Sequence, residues 1–225
     1  MEKDHQYLMP AGFGEAELIE KKSKFVGRVW PVETEAGAVG HIEEMRRQHR
    51  EANHNVYAYI VRGEGIVRCG DDGEPQGTSG LPTLGVFQKE GVTNVCCVVT
   101  RYFGGILLGA GGLVRAYSKA ARLALDAAGI NIMRRWSMLL VDCPYALYER
   151  MKIQVETFNG LVASTEFGAD ILLEVMLPEE ETPAFSEAVR ELSAGAVEPV
   201  VMDTVFRGAR VGGGAAGCSG EDLAR

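Results

Sequence analysis

The stretch 92–128 constrains the fold more tightly than any other. Residues 92–100, VTNVCCVVT, are almost unbroken apolar and rich in β-branched types, the composition of a central strand covered on both faces. Residues 101–112 are rich in glycine, and residues 113–128, rich in alanine and leucine, read as a helix. A strand that passes through a glycine loop straight into a helix calls for a helix lying on a sheet. Cys96 and Cys97 are adjacent within the apolar run. They are expected to be core residues pointing to opposite faces of the strand.

The rest of the chain alternates short strands and helices. Residues 15–21 and 24–32 read as strands about a polar turn at Lys22 and Ser23. Thr34 is the expected cap of a helix reaching about Arg50, with Val39, Ile42, Met45 and His49 as its buried stripe. Residues 56–61 and 66–69 read as a hairpin closed by Gly63, Glu64 and Gly65. Residues 70–82 are expected to form a shaped loop, and 83–89 a short strand or helical turn.

After a connection at 129–136 a second pattern begins. It reads as a strand at 138–143, a helix from Pro144 to about Glu156, and strands at 161–167 and 170–177. A helix capped by Thr182 follows, reaching about Ser193 with Phe185, Ala188, Val189 and Leu192 inward, and then a strand at 197–206. That β-α-β-β-α-β order is the ferredoxin-like unit. The chain is thus expected to be α+β, with domains at 1–135 and 136–206. Residues 207–225, rich in Gly and Ala, are expected to be a disordered tail.

The formal net charge is −8, which argues at first against a nucleic-acid partner. The charge is unevenly spread: 17 Lys+Arg face 16 Asp+Glu in residues 1–135, and 6 face 15 in residues 136–225. Within 94–135, Arg101, Arg115, Lys119, Arg122, Arg134 and Arg135 stand against one acid, Asp126. One face of the first domain therefore suits a polyanion. The first residues, MEKDHQYLMPAGFG, carry early acids and no long apolar core, so no secretory leader is expected. No apolar run reaches the ~18 residues of a membrane span, and no membrane partner is expected. The five cysteines, Cys69, Cys96, Cys97, Cys143 and Cys218, form no CxxC pair. Their odd number and scatter fit a reducing cytoplasm.

Two motifs invite a chemical reading. Asp71, Asp72 and Glu74 place three carboxylates within four residues, and like charges so close need compensation. One reading is a Mg²⁺ site, with the shell completed by water or phosphate. The other has the acids capping turns and pairing with Arg101 or Arg115. Thr78 and Ser79 in the same loop, and His54 before the strand at 56–61, are supporting candidates. His54 reads either as a general base or as a satisfied structural histidine.

The second motif is Arg101-Tyr102-Phe103-Gly104-Gly105 followed by Gly111, Gly112, Arg115 and Lys119. Glycines and a helix start expose backbone N–H groups to an anion. The three cations would grip phosphate, and Tyr102 or Phe103 would stack on a base. The alternative is tight packing, with glycines where a helix crosses a sheet. No Gly-Lys-Ser/Thr follows, so this is not a nucleoside-triphosphate loop. No GxSxG elbow and no Cys–His pairing is evident, so no catalytic set is recognised.

Several strings together carry a family resemblance: Lys21-Lys22-Ser23-Lys24-Phe25, His54-Asn55 with Tyr57-Ala58-Tyr59, DDGEP with Gly77-Thr78-Ser79-Gly80 and Pro82, and TRYFGG with LGAGGLVRAYS. The chain resembles the bacterial two-domain type of the YigZ/IMPACT family, strongly over about residues 15–130. The resemblance implies a first domain like the left-handed βαβ domain four of elongation factor G, and a ferredoxin-like second domain like its domain five. It implies a ribosome or structured-RNA partner by fold analogy. Eukaryotic relatives regulate translation during amino-acid starvation largely through an extra N-terminal domain, which is not expected here. A proline-dipeptidase activity is not expected either, for want of a metal-ligand set. The leading expectation is a translation-associated RNA or ribosome binder. The alternatives are an enzyme or sensor that binds a phosphorylated small molecule or nucleotide through the same loop with Mg²⁺, and a protein-interaction module acting through the acidic second domain.

Overall fold

A computed structural model describes residues 6–210, leaving aside the side chains of residues 209 and 210. The readings that fall on residues 1–5 and 211–225, among them Cys218 and most of the expected tail, lie outside the described residues. The chain divides into two compact units: Tyr7–Ile132 with residues 209–210, and Met133–Gly208 with Gln6.

The first unit comprises β1 (Gln6–Pro10), β2 (Gly14–Glu20), β3 (Ser23–Pro31), α1 (Glu35–Gln48), β4 (His54–Val61), β5 (Ile66–Gly70), α2 (Gly80–Glu90), β6 (Val95–Tyr102) and α3 (Ala110–Ala128). Five of the strands form a sheet in the order β2-β3-β6-β4-β5, with each neighbouring pair antiparallel. The sheet is covered on both faces. Val95, Cys97 and Val99 pack with α2 and α3, while Cys96 and Val98 pack with α1. This double cover is why β6 reads as an unbroken apolar run, and the two cysteines do point to opposite faces. Burial pushes the Cys96 thiol up to about 12.

Close backbone approach lets α3 lie on β2 and β3. A Cβ on Gly27 would stand 2.5 Å from the Ala120 carbonyl oxygen, so only glycine fits opposite the buried Ala116, Ala120 and Ala124. A Cβ on Gly14 of β2 would likewise overlap the Ala128 amide nitrogen, so the packing glycines of the helix–sheet contact are on the strands, not in the loop where the sequence reading looks for them. The β2–β3 turn is Lys21-Lys22, one residue earlier than expected. Both residues are left-handed, at φ 45° and 66°, as a two-residue hairpin turn demands.

The Thr34 hydroxyl caps α1 by accepting from the Gly37 amide at 3.1 Å, an arrangement that stabilises a helix by about 1 kcal/mol. The buried stripe is Ala38, Ile42 and Met45. Val39 is exposed, and His49 is the C-cap rather than a core residue. The expected loop at 70–82 gives up Gly70 to β5 and Gly80 onward to α2. The second loop shrinks to 103–109, because β6 extends to Tyr102 and α3 starts at Ala110. The strand β1 has no strong sequence signal; it is held by the Thr93 amide donating to the Leu8 carbonyl and the Ala11 amide to the Gly129 carbonyl.

The expected connection at 129–136 does not exist as a loop. It is the start of β7 (Ile130–Cys143), and the division between units falls inside that strand. The second unit continues through a 3₁₀ turn at Tyr145–Leu147, α4 (Tyr148–Thr157), β8 (Leu161–Phe167), β9 (Ile171–Pro178), a 3₁₀ turn at Glu179–Glu181, α5 (Thr182–Leu192) and β10 (Val200–Arg210). The strands β10, β7, β9 and β8 run in the ferredoxin-like order, and β1 also pairs with β7, which makes five strands in this sheet. The mixed α+β, two-domain architecture therefore stands. Residues 207–210 belong to β10 rather than to a tail. Thr182 begins α5 without capping it, and its hydroxyl has no hydrogen-bond partner among the described residues. Phe185 and Val189 supply the buried face of α5. Among the described residues no helix is long and apolar enough to cross a membrane.

Candidate functional site

The end of β6 organises the first unit's polar chemistry. Strand register places Arg101 directly between Phe25 of β3 and His54 of β4. Arg101 is only 5% exposed. Its Nη1 donates to Oε1 of Glu74, the most buried acid of the DDGEP loop. The Tyr117 hydroxyl, from the inward face of α3, donates to the same oxygen at 2.8 Å. Burial, then the Glu74 charge beside it, pushes the Tyr117 hydroxyl far up, so it remains a donor at any physiological pH. The His54 Nε2 lies 3.8 Å from Glu74 Oε1. Its Nδ1 is 2.8 Å from the Asp72 carbonyl oxygen. A carbonyl can only accept, so Nδ1 carries the ring proton.

The three carboxylates that looked like one cluster point to three places. Asp71 Oδ1 accepts from the Ser79 amide at 3.1 Å, the Ser79 hydroxyl at 2.6 Å and the Gly80 amide at 2.8 Å. Its Oδ2 accepts from the Gly77 amide at 2.8 Å. Asp71 is therefore the anionic cap of α2, supplied from outside the helix. Burial raises its carboxyl, but the Ser79 hydroxyl and the three amides outweigh that and hold it below the usual range. Asp72 accepts from the Asn55 amide at 2.6 Å and from Arg46 at 2.9 Å. Glu74 turns inward to Arg101. The turn-capping and ion-pairing reading describes this loop, with Arg101 and not Arg115 as the partner. Thr78 donates to the Pro75 carbonyl at 2.6 Å. Among the described residues no group of three or more His, Cys, Asp or Glu side chains is placed to hold a metal ion.

The glycine motif is also divided. The Phe103 amide donates to Asn53 Oδ1 at 2.7 Å and the Gly104 amide to Ser23 Oγ at 3.2 Å. A Cβ on Gly104 would overlap the Lys22 carbonyl, so Gly104 is there for contact with the β2–β3 turn. Gly105 is left-handed at φ 82°. Gly111 and Gly112 fall in the first turn of α3. Tyr102 lies 2.8 Å, through its hydroxyl, from His49 Nδ1, which ties it to the fold. Phe103 is exposed, with its ring 5.6 Å from the Arg101 guanidinium carbon.

Arg115 and Lys119 lie elsewhere, on the outer face of α3. They line an open groove of about 580 Å³ with Pro82, Lys89 and Arg122, and a smaller one of about 220 Å³ with Lys21 and Leu108. The structure does not bring Arg101, Arg115 and Lys119, the three cations expected to contact phosphate, to one place. The first is interior and already paired; the other two are exposed. Lys21, Lys22, Lys89, Arg115 and Lys119 are all exposed, and none has an ion-pair partner among the described residues. Of the acids lining these grooves, Glu90 is paired with Arg122 and Glu20 is exposed. Sequence reading quoted Tyr117, Asn53 and the two turn lysines within its motifs but gave them no place in the site. Tyr117 had a signal, because it falls on the same helical stripe as Leu113, Ala120 and Ala124 and a buried tyrosine requires a partner.

Residues 21–125, which contain all these groups, match the Impact N-terminal domain, and residues 141–196 match a domain of unknown function, DUF1949. The IMPACT family member YvyE of Bacillus subtilis is 35% identical over 192 residues, covering 85% of this chain and 88% of that protein. The chain belongs to the IMPACT family. Another member, YigZ of Escherichia coli, is 30% identical over 81% of this chain and 91% of its own length. The crystal structure of a hypothetical protein, 28% identical, superposes with a TM-score of 0.56, covering 88% of this chain and 98% of its own. The two-domain IMPACT fold is thus shared along most of the chain.

Proposed function

We propose that this IMPACT family chain is a cytoplasmic, translation-associated protein that binds structured RNA, as on the ribosome, through the outer face of α2 and α3 and the β2–β3 turn. The observation that carries the reading is the set of five exposed cations, Lys21, Lys22, Lys89, Arg115 and Lys119, left without acidic partners among the described residues. A folded protein of net charge −8 has acids to spare, so a face of unpaired cations is a site for phosphates. Each contact releases condensed counterions, which makes binding salt-dependent. The open groove between α2 and α3 suits a nucleic-acid backbone better than an enclosed ligand. Co-sedimentation with ribosomes and separated subunits across a salt series tests the reading. It predicts association at low salt that is lost on raising salt and on replacing Arg115 and Lys119 by Ala. No association at the lowest salt would refute it.

A further inference from the structure

A cavity of about 460 Å³ opens at the start of α3, lined by His54 and Glu74 and by the apolar Phe103, Leu107, Leu108 and Leu113. It uses none of the five exposed cations, and its volume falls within the range of small-molecule sites. Two acceptors among its lining residues lack a donor. The first is on Glu74, whose side chain is only 3% exposed. Its Oε1 already accepts from Arg101 Nη1 and from the Tyr117 hydroxyl, which fills both lone pairs of that oxygen. Its Oε2 accepts from nothing among the described residues, yet it is not closed off from open space. The second is on His54. Its Nδ1 carries the ring proton and is held by the Asp72 carbonyl, so the neutral ring presents a bare lone pair at Nε2. That nitrogen stands 3.8 Å from the Glu74 carboxylate, too far for a hydrogen bond, and both groups are acceptors. A nearly buried carboxylate with one oxygen unused calls for an explanation.

We infer that this cavity binds the ribose end of a nucleoside, free or at the 3′ end of an RNA strand. The vicinal hydroxyls supply two neighbouring donors, one to Glu74 Oε2 and one to His54 Nε2. A carboxylate is a common acceptor for a ribose hydroxyl. The base lies against Phe103 and Leu107, which are 44% and 82% exposed, and every base offers a π-face to an aromatic ring. Neutral hydroxyls fit here better than an ammonium group. The Arg101 charge already offsets that of Glu74, and Gly109 and Ala110, at the start of α3, bring the positive end of that helix to the same cavity.

An NMR titration of the full chain, reading the backbone amides and the histidine ring nitrogens, tests this. The probes are adenosine, 2′-deoxyadenosine, 3′-deoxyadenosine and two short RNAs, one ending in a 3′ hydroxyl and one in a 3′ phosphate. Saturable shifts are expected at His54 Nε2 and at the Phe103 and Leu107 amides. Adenosine that produces them identifies a free nucleoside as the ligand. Shifts from the 3′-hydroxyl RNA alone, lost with the 3′ phosphate, identify a strand end. Each deoxy analogue is expected to bind about tenfold more weakly than adenosine, for the loss of one hydrogen bond. Phe103 is exposed and its amide bond to Asn53 does not involve the ring. Phe103→Ala is therefore expected to weaken binding by about tenfold with little change in melting temperature. Absence of saturable shifts at His54 Nε2 with both adenosine and the 3′-hydroxyl RNA would overturn the proposal, as would equal affinity for adenosine and either deoxy analogue. RNA shifts that persist with the 3′ phosphate would assign the cavity to the interior of a strand and overturn it equally.

Discussion

Arg101 and Arg115 stand on either side of the same glycine loop, and the fold uses them in opposite ways. Arg101 ends β6 in the interior, with its charge set against Glu74 and its guanidinium between Phe25 and Phe103. Arg115 stands on the outer face of α3 with Lys119, exposed and without an ion pair. The interior region has turned its charges to holding the fold together. The outer region has left its charges available to a partner. A count of nearby cations along the sequence does not distinguish these roles; the side of the helix and the strand register do.

The comparison breaks most sharply through Arg101. Removing one member of a buried ion pair strands the other, at about 3–5 kcal/mol. Arg101→Ala is therefore expected to lower unfolding stability by that amount in a urea titration. Arg115→Ala, at an exposed position, should stay within about 0.5 kcal/mol of the parent. Equal effects would erase the distinction. Next in size is Gly104→Ala, whose Cβ would overlap the Lys22 carbonyl. Overpacking of this kind costs about 1–3 kcal/mol, and chemical shifts at Lys22 and Ser23 should move with it.

Asp71→Asn is expected to cost about 1–2 kcal/mol through the weakened cap of α2. Its effect is also pH-dependent. The folded carboxyl is held below its ordinary value, so its contribution is present above the unfolded value near pH ~4 and is lost as pH falls through the folded value. Stability measured from pH 7 downward should show that acid loss in the parent and less of it in Asp71→Asn. A smaller effect, of opposite sign, is expected at the β2–β3 turn. Replacing Lys21 and Lys22 by Asn-Gly relieves two left-handed lysines and should stabilise the protein by up to about 1 kcal/mol, while lowering RNA affinity if the outer face is the binding face.

The same comparison shows what the sequence made legible. The fold was readable because its signals are local: the apolar run of β6, the Thr34 cap and the β-α-β-β-α-β order of the second unit each need only neighbouring residues. The strand β1 was not readable, because its place depends on pairing with β7 and on the bond from Thr93, both far along the chain. The candidate site was legible in its residue types and not in its grouping. Asp71, Asp72 and Glu74 sit within one short loop, and a tight turn sends each carboxylate a different way. Gly14 and Gly27 carry the close approach of α3, yet nothing around them in the sequence marks a helix crossing. Tyr117 became part of the polar centre only because the α3 stripe faces the end of β6.

The most direct test of the account is the salt dependence of binding to ribosomal RNA for the parent and for the Arg115→Ala/Lys119→Ala double variant. The account predicts that the double variant binds more weakly and that the slope of log affinity against log salt shallows by about two units, with unfolding stability little changed. An unchanged slope with full affinity would show that the outer face of α3 does not meet phosphate, and would contradict the division between an interior arginine held in an ion pair and surface cations that are not.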